Sequence, residues 1–415
     1  MITVGTDLHK TQFTVCVRCC TGEHFDQYPT TEAGYGQFFK DMAAFQESGE
    51  GIRIGVESTG NTRYFKSRME SAGMKVTVVN TLKFKVVNES VKKTDKYDAA
   101  TIAEFLEKDM LPESRLCSQT SEQLRRLLKV RTTLVRAQVV IKNQIHALLT
   151  AEGMEDVKGS LQSKRGRKHV LDTLKEWRIE LVAQPLFETI ERLEENVNSI
   201  EKELRALTDG DRAVELLMSI PGCGEICAWT IRAYTDDITR FSSAKKYTAY
   251  AGLVPWVQNS NKTIQHGHIT KRGPRELRTA LVQVVMGLRR MQAKTGSWRL
   301  MERYALMKQN KGSGKAIIAF ARKMATIVWC MLSEDAEFDI GQMFAPKLTE
   351  KAENIRMMTK HESSAGAFCA RETPMGGEKQ RIFVQNGSGG MDTNGEPLVA
   401  AREMQKKSIN TANMR

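Results

Sequence analysis

Apolar residues change their repeat near residue 121, and that change constrains the fold more than any other feature of the chain. Before it they alternate or run in short blocks, as strands and short helices do. After it they recur at steps of three and four residues over long stretches. A period of two suits a strand and a heptad suits a packed helix, so the chain must combine two differently built regions. Its 415 residues are enough for two or three separate cores.

The first region reads as alternating strands and helices. Strands are expected over residues 2–6 and 11–18, with a short third at 27–30, followed by a helix over 31–46. GIRIGVE (51–57) reads as a buried strand, 61–72 as a helix and MKVTVVN (74–80) as another strand. A Lys-rich loop then carries Lys83, Lys85, Lys92 and Lys93, and Thr94 is placed to cap a helix beginning at Asp95. A hairpin meander followed by alternating strands and helices indicates a mixed α/β domain over 1–115.

Residues 116–208 carry two heptad seams. Leu124, Leu127, Leu134, Ile141, Ile145 and Leu148 form the first, interrupted by Arg131 and Gln138. After a basic stretch read as a loop, SKRGRK (163–168), and a break expected at Pro185, the second seam is cleaner. It runs through Leu186, Ile190, Leu193, Val197, Ile200, Leu204 and Leu207, with four glutamates outside it. This is coiled-coil spacing, and it fits equally a partner helix from the same chain or from a second subunit. An all-α domain is expected over 209–340, with helices near 274–294 and 315–332. Beyond 341 a Gly-rich polar stretch reads as a disordered tail.

Lys and Arg number 62 against 49 Asp and Glu, a formal net charge of +13. That excess favours a polyanionic partner, nucleic acid above all. No uncharged apolar run approaches the roughly 20 residues of a membrane-spanning helix, and the N-terminus reads as a strand rather than a signal peptide. The expectation is therefore no membrane and a cytoplasmic protein. Of eight cysteines, Cys16, Cys19 and Cys20 cluster, but no second pair stands at a zinc-site spacing, so they read as reduced thiols serving mainly as small hydrophobes.

Against this basic background stand four acids at element ends: Asp7 in GTDLHK, Glu57 in GVESTG, and Asp95 and Asp98 in KTDKYDAA. Asp95 and Asp98 are three apart at a helix start and share a face. Asp7 and Glu57 end strands of one sheet. Any one of them alone would serve as a cap or surface charge. Together they supply the carboxylates that a pair of Mg²⁺ ions about 4 Å apart needs for phosphodiester chemistry. SIPGCGEICAWTIRAY (219–234) has the shape of a helix-hairpin-helix, with Gly222 and Gly224 in a turn whose amides can hold a phosphate; packing alone is the competing account. In YAGLVPWVQNSNKTIQHGHITKRGPRELR (250–278), Ser260 sits in a polar segment read as a loop, with Lys262, His266, His268, Lys271, Arg272 and Arg275 around it. A serine attacking a phosphodiester keeps the bond energy in a covalent ester. The two histidines suit a general base or a phosphate contact equally. NKGSGK (310–315) lacks full phosphate-loop spacing and reads as a linker.

Up to about residue 335 the chain resembles the transposases of the insertion sequence 110 family. GTDLHKTQFTVCV, VESTGNTRYF with KTDKYDAATIAEFL, and IPGCGEICAWTI through AGLVPWVQNSNKTIQHGHITKRGPRELRTAL carry the likeness. The resemblance implies a RuvC-like (RNase H-fold) N-terminal domain whose metal-binding acids fall on Asp7, Glu57, Asp95 and Asp98. It also implies a C-terminal transposase domain whose catalytic serine falls on Ser260. It further implies Mg²⁺, double-stranded donor and target DNA, an element-encoded bridge RNA, and a homo-oligomer, dimer or tetramer, held by the coiled coil. Asn261 follows the serine where family members often carry Gly. Two other functions remain open on the residues alone: a RuvC-like nuclease using water, and a non-catalytic nucleic-acid-binding protein.

Overall fold

In the computed structural model, residues 1–20, 22–45, 51–87, 94–153, 160–176, 180–260, 263–291 and 298–341 are described, and the statements below concern these. Lys92, Lys93, Lys262 and the expected tail beyond 341 lie outside them.

Strands β1 (Ile2–Leu8), β2 (Gln12–Cys19) and β3 (Gly22–Pro29) form an antiparallel meander. Helix α1 (Glu32–Phe45) follows, then β4 (Ile52–Glu57), α2 (Thr62–Ser71), β5 (Lys75–Val79), α3 (Thr81–Val87) and α4 (Asp95–Glu107). Crossovers through α1 and α2 return β4 and β5 parallel to β1, giving one sheet in the order β3-β2-β1-β4-β5. The central strands are covered on both faces, which explains why they read as apolar runs. On one face Val4, Phe13 and Ile54 pack with Phe38, Met42, Phe65 and Met69. On the other, α4 lies along β1 and β2, with Ala99 and Ala103 against Cys16.

Two long helices follow, α5 (Gln119–Ala151) and α7 (Glu180–Leu207), with the shorter α6 (Lys164–Glu176) between them. Leu124 and Leu204 share one core while Ile145 and Ile190 share another, so α5 and α7 run antiparallel and pair within the chain. Arg131 of α5 bonds Glu201 of α7 at 2.7 Å, which accounts for the polar interruption of the seam.

The C-terminal half comprises α8 (Arg212–Met218), α9 (Glu225–Thr235), α10 (Ala244–Tyr250), a hairpin of β6 (Pro255–Ser260) and β7 (Thr263–Ile269), α11 (Arg275–Arg290), α12 (Arg299–Lys311) and α13 (Ser313–Glu334). Their apolar faces build the largest core of the molecule. Among the described residues α13 alone is long and apolar enough to cross a membrane, but Phe320, Met324, Val328 and Met331 bury it in that core.

The half expected to be all-α also carries the β6–β7 hairpin, because β7 supplies the edge that pairs with β6, and three further local expectations are corrected. Residues 164–168 of SKRGRK are the start of α6, not a loop. Arg167 is only 2% exposed there and forks onto Glu194 at 3.0 and 2.6 Å, so its charge is spent inside the helical hairpin. Helix α7 runs through Pro185. The proline falls within its second turn, where one missing N–H leaves only the carbonyl of the exposed Leu181 to water, and its own carbonyl accepts a bond from Thr189. NKGSGK is no linker: α12 and α13 abut through Gly312 alone, whose φ of 82° suits glycine.

Candidate functional site

The first turn of α4 reaches the edge of the sheet because β1 carries no side chain at Gly5 beneath the helix. A Cβ on Gly5 would lie nearer than 3.0 Å to the carbonyl oxygen of Ala99 and the amide nitrogen of Ala103. Glycine on the strand and alanine on the helix therefore let the two backbones approach almost to contact. Thr94 caps the helix, its hydroxyl accepting from the Tyr97 amide at 3.2 Å. Asp95 and Asp98 in that first turn also suit the positive end of the helix dipole.

Asp7 stands near the end of β1, and Glu57 ends β4 one residue past the last parallel pair, Thr6 with Val56. The two acids thus occupy the same sheet edge, as expected. Their loops are tied together: the Thr62 hydroxyl donates to the Glu57 carbonyl at 2.7 Å, and the Asn61 side chain donates to the His9 carbonyl at 2.9 Å.

A tight group forms where these pieces meet. Ligand atoms of Asp7, His9 and Asp95 all lie within 4.8 Å of one another. Nε2 of His9 is 3.1 Å from Oδ2 of Asp7 and 3.6 Å from Oδ2 of Asp95. Burial raises the Asp7 carboxyl above its ordinary value; His9 opposes this, and the negative charges of Asp95 and Asp98 add to it. Carboxylates that raise one another's proton affinity are equally poised for a divalent cation, and the oxygen and imidazole donors suit one. His9 was not singled out as a ligand from sequence. Its only signal is its place two residues after Asp7, on the turn where its amide bonds the Gln12 carbonyl at 2.9 Å.

Ser260 is carried elsewhere. It ends β6 and pairs with Thr263, so the expected loop is the tip of a two-stranded hairpin. The hairpin's base packs in the C-terminal half, where Ile269 joins the large core. Lys271, Arg272 and Arg275 are exposed just beyond it. Lys271 has a φ of 53°, and its amide bonds the Gly252 carbonyl at 3.2 Å.

The turn between α8 and α9 has the expected helices on either side, but its glycines carry a packing load. A Cβ on Gly222, where φ is 83°, would fall 2.7 Å from the Gly287 carbonyl carbon of α11. Gly224 precedes α9 in open space. Glu225 in the first turn of α9, held by Arg205 at 2.9 and 2.7 Å, places a negative charge where an incoming phosphate would sit.

The connection between the halves is rigidly hydrogen-bonded. Asp236 accepts from the Ser118 hydroxyl at 2.6 Å and from its amide at 3.2 Å, while Arg115 pairs with Asp237 at 3.1 Å.

Comparison with known proteins gives the same outline. The family model described as "Transposase IS116/IS110/IS902 family" matches residues 214–299, and the DEDD transposase model of the IS110 type matches residues 4–153. The chain is 24% identical over 300 residues to a probable family 20 transposase of Pseudomonas aeruginosa, spanning 69% of this chain and 86% of that one. It is 26% identical to the transposase for insertion sequence element IS1111A of Coxiella burnetii, over 69% and 79% of the two chains. A pilin gene-inverting protein of Moraxella bovis is 23% identical over 81% of this chain and 97% of its own length. The two family models fall on the acid-bearing and serine-bearing halves in turn, and the chain belongs to the IS110 family of transposases.

Proposed function

We propose that the protein cuts and rejoins donor and target DNA strands through a covalent link to Ser260, in a site completed by Mg²⁺ at Asp7, Glu57, Asp95 and Asp98. The gathering of Asp7, Asp95 and His9 at the edge of the sheet carries this reading. The strand order, with an antiparallel β2 and parallel β4 and β5, supports a RuvC-like reading of residues 1–115. The pairing of α5 with α7 and the core of α8–α13 support the boundaries near 208 and 340.

Divalent cations held by these carboxylates would favour the ionised serine and neutralise charge on the scissile phosphate. The chain's own residues do the remaining work. Oγ of Ser260 attacks phosphorus; its bond to phosphorus forms as the bond to the departing strand breaks, and the departing oxygen takes up the proton that the serine gives up. A hydroxyl of the second strand then displaces Ser260 and regenerates it, so no external energy source is needed. Lys271, Arg272 and Arg275 offset phosphate charge beside the hairpin. Acids and serine reside on different halves of the chain, which supports a composite site between subunits of a dimer or tetramer acting on cytoplasmic DNA. The excess positive charge accommodates a bridge RNA that selects the two DNAs.

Ser260→Ala tests the mechanism. Recombination and covalent protein–DNA adducts on a denaturing gel are both expected to vanish. Full recombination by this variant would remove the serine mechanism, and strand cutting without rejoining or adducts would favour a RuvC-like nuclease using water. Recombination by RNase-treated protein without added RNA would remove the guide.

A further inference from the structure

A second anion-seeking feature lies outside the acidic cluster and the Ser260 tip. The base of the β6–β7 hairpin and the first turns of α13 enclose a cavity of about 640 Å³. Its floor is apolar, from Leu253, Ile269 and Ile318, and its lining includes His268, Lys271, Lys315 and Arg322. All four of these polar side chains are exposed, and no ion pair is recorded for any of them among the described residues. The sequence explains why: residues 253–275 and 303–333 contain no Asp or Glu. Elsewhere the protein pairs its arginines readily, as Arg205, Arg212 and Arg232 show. Lys271, Lys315 and Arg322, gathered without counter-charges around an apolar floor, form a surface of one sign that favours an anionic ligand.

The opening is also preorganised. Lys271 is held in a left-handed backbone conformation, and Arg278 donates to the Lys271 carbonyl at 3.4 Å and to the Ala251 carbonyl at 3.1 Å. Such a conformation persists only where surrounding structure enforces it, as these bonds do here. Gly267 and Gly314 keep side chains out of the lining. The ring of Trp256 lies against Gly267, 2.7 Å from where a Cβ would stand, and the tryptophan is 48% exposed. Gly267 lines the cavity, so an exposed indole adjoins its wall, where it can stack a base while the cations of the lining neutralise a phosphate.

We infer that this cavity binds an unpaired segment of a nucleic-acid strand, with a base against Trp256 and the apolar floor and a backbone phosphate on Lys271, Lys315 and Arg322. The choice of nucleic acid as ligand rests on the transposase reading; the cavity itself uses neither the acids nor Ser260. An unpaired strand is favoured over a duplex because a base must leave its stack to reach the indole. GSGK, set aside as a linker in the sequence, thereby acquires a role through Lys315.

The test is fluorescence anisotropy of the full-length protein with labelled single-stranded DNA and RNA of one sequence, in EDTA so that the acid cluster takes no part. Trp256→Ala is expected to weaken binding about tenfold. Lys315→Gln with Arg322→Gln is expected to lower the slope of log affinity against log salt by about one to two units. Because all three side chains are substantially exposed, thermal melting should stay unchanged and report intact folding. A loss seen with DNA alone or RNA alone supports the cavity and identifies its strand. Unchanged affinity and salt slope for both strands in the folded variants overturns the proposal, even where Ser260→Ala abolishes recombination. Conversely, weakened binding alongside full recombination by Ser260→Ala leaves the cavity standing and the serine mechanism refuted.

Discussion

Substituting Gly5 by alanine adds a single methyl group, yet it should separate the acids more effectively than many changes at the acids themselves. The new carbon would lie 3.0 Å from the Ala103 Cα and closer still to two α4 backbone atoms, Ala99 O and Ala103 N. None of these is the movable end of a side chain. Ordinary contact begins at 3.4 Å, so α4 must withdraw by on the order of 1 Å, and misplacement on that scale costs about 100-fold in rate. Asp95 and Asp98 travel with the helix, whereas Asp7 stays with β1. Mg²⁺ demands near-ideal octahedral geometry with donors at about 2.0–2.1 Å, so the gap cannot be absorbed by the ion. Overpacking of this kind also costs about 1–3 kcal/mol in stability. Cation-dependent recombination should therefore fall about 100-fold, while thermal unfolding moves down by a few degrees. The control is Gly36→Ala in α1, where a Cβ meets open space. There the lower chain entropy should stabilise by about 0.5–1 kcal/mol with activity retained. Wild-type melting and cation dependence in Gly5→Ala would show that α4 does not bear on β1 as described, and the account of how the acids are assembled would fail with it.

Asp7→Asn should raise the melting temperature of metal-free protein at pH 7. Burial and the neighbouring acids raise the native Asp7 carboxyl, so its ionised form opposes folding once pH passes its unfolded value near 4. The same variant should lose most of the cation-induced stabilisation, about 2.7 kcal/mol in wild type at a hundredfold excess over Kd, and an equal thermal shift in both proteins would refute the metal site. Asp236 behaves oppositely. Burial pushes its carboxyl up, but the Ser118 hydrogen bonds and Arg115 outweigh it, so its stabilisation is full above about pH 4 and disappears as pH falls further. Asp236→Ala should cost about 1–2 kcal/mol by denaturant titration at pH 7 and flatten that acid limb. Finally, Glu194→Ala strands the buried Arg167 and should cost about 3–5 kcal/mol, while Arg167→Met with Glu194→Leu should recover most of it. A double variant no more stable than the single one would show that the pair holds the hairpin by more than charge.

How much of this was legible in the sequence depends on how far each signal reaches along the chain. β1, β4, the Thr94 cap and the Asp95–Asp98 face are local, so periodicity and capping chemistry located them to within a residue or two. The coincidence of Asp7 and Glu57 at one edge followed from both ending strands of a parallel pair. What brings α4 over β1 was invisible, because it depends on Gly5 meeting Ala99 and Ala103 more than ninety positions away, and small residues produce no periodic signal. Arg167 misled for a similar reason. Lys and Arg in succession read as a solvated loop until Glu194, on another helix, supplies a partner. Ser260 was read as a loop residue because Gln258, Asn259 and Asn261 are poor strand formers, yet the hairpin forms when β7 provides the complementary edge. His9 was passed over because a ligand is recognised by convergence in space.

The distribution of charge separates the two halves by function. The acid cluster sits on the sheet half, where a phosphate approaching alone is repelled by Asp7, Asp95 and Asp98. The unpaired cations are concentrated at the hairpin base and the first turns of α13, where residues 253–275 and 313–333 carry no carboxylate of their own. The acids and the serine thus sit on different halves of the chain. The segment joining them is fixed by Asp236 on Ser118 and Asp237 on Arg115, and the hairpin's recorded packing is with the C-terminal helices rather than the sheet. In the proposed reading, bringing the serine half of one chain to the acid half of another would leave both halves intact, and the strand that bridges them would supply the negative charge for the basic side and the phosphate for the metal side. In that reading assembly on nucleic acid would precede chemistry, because the proposed site would be complete only once the strand had joined the two.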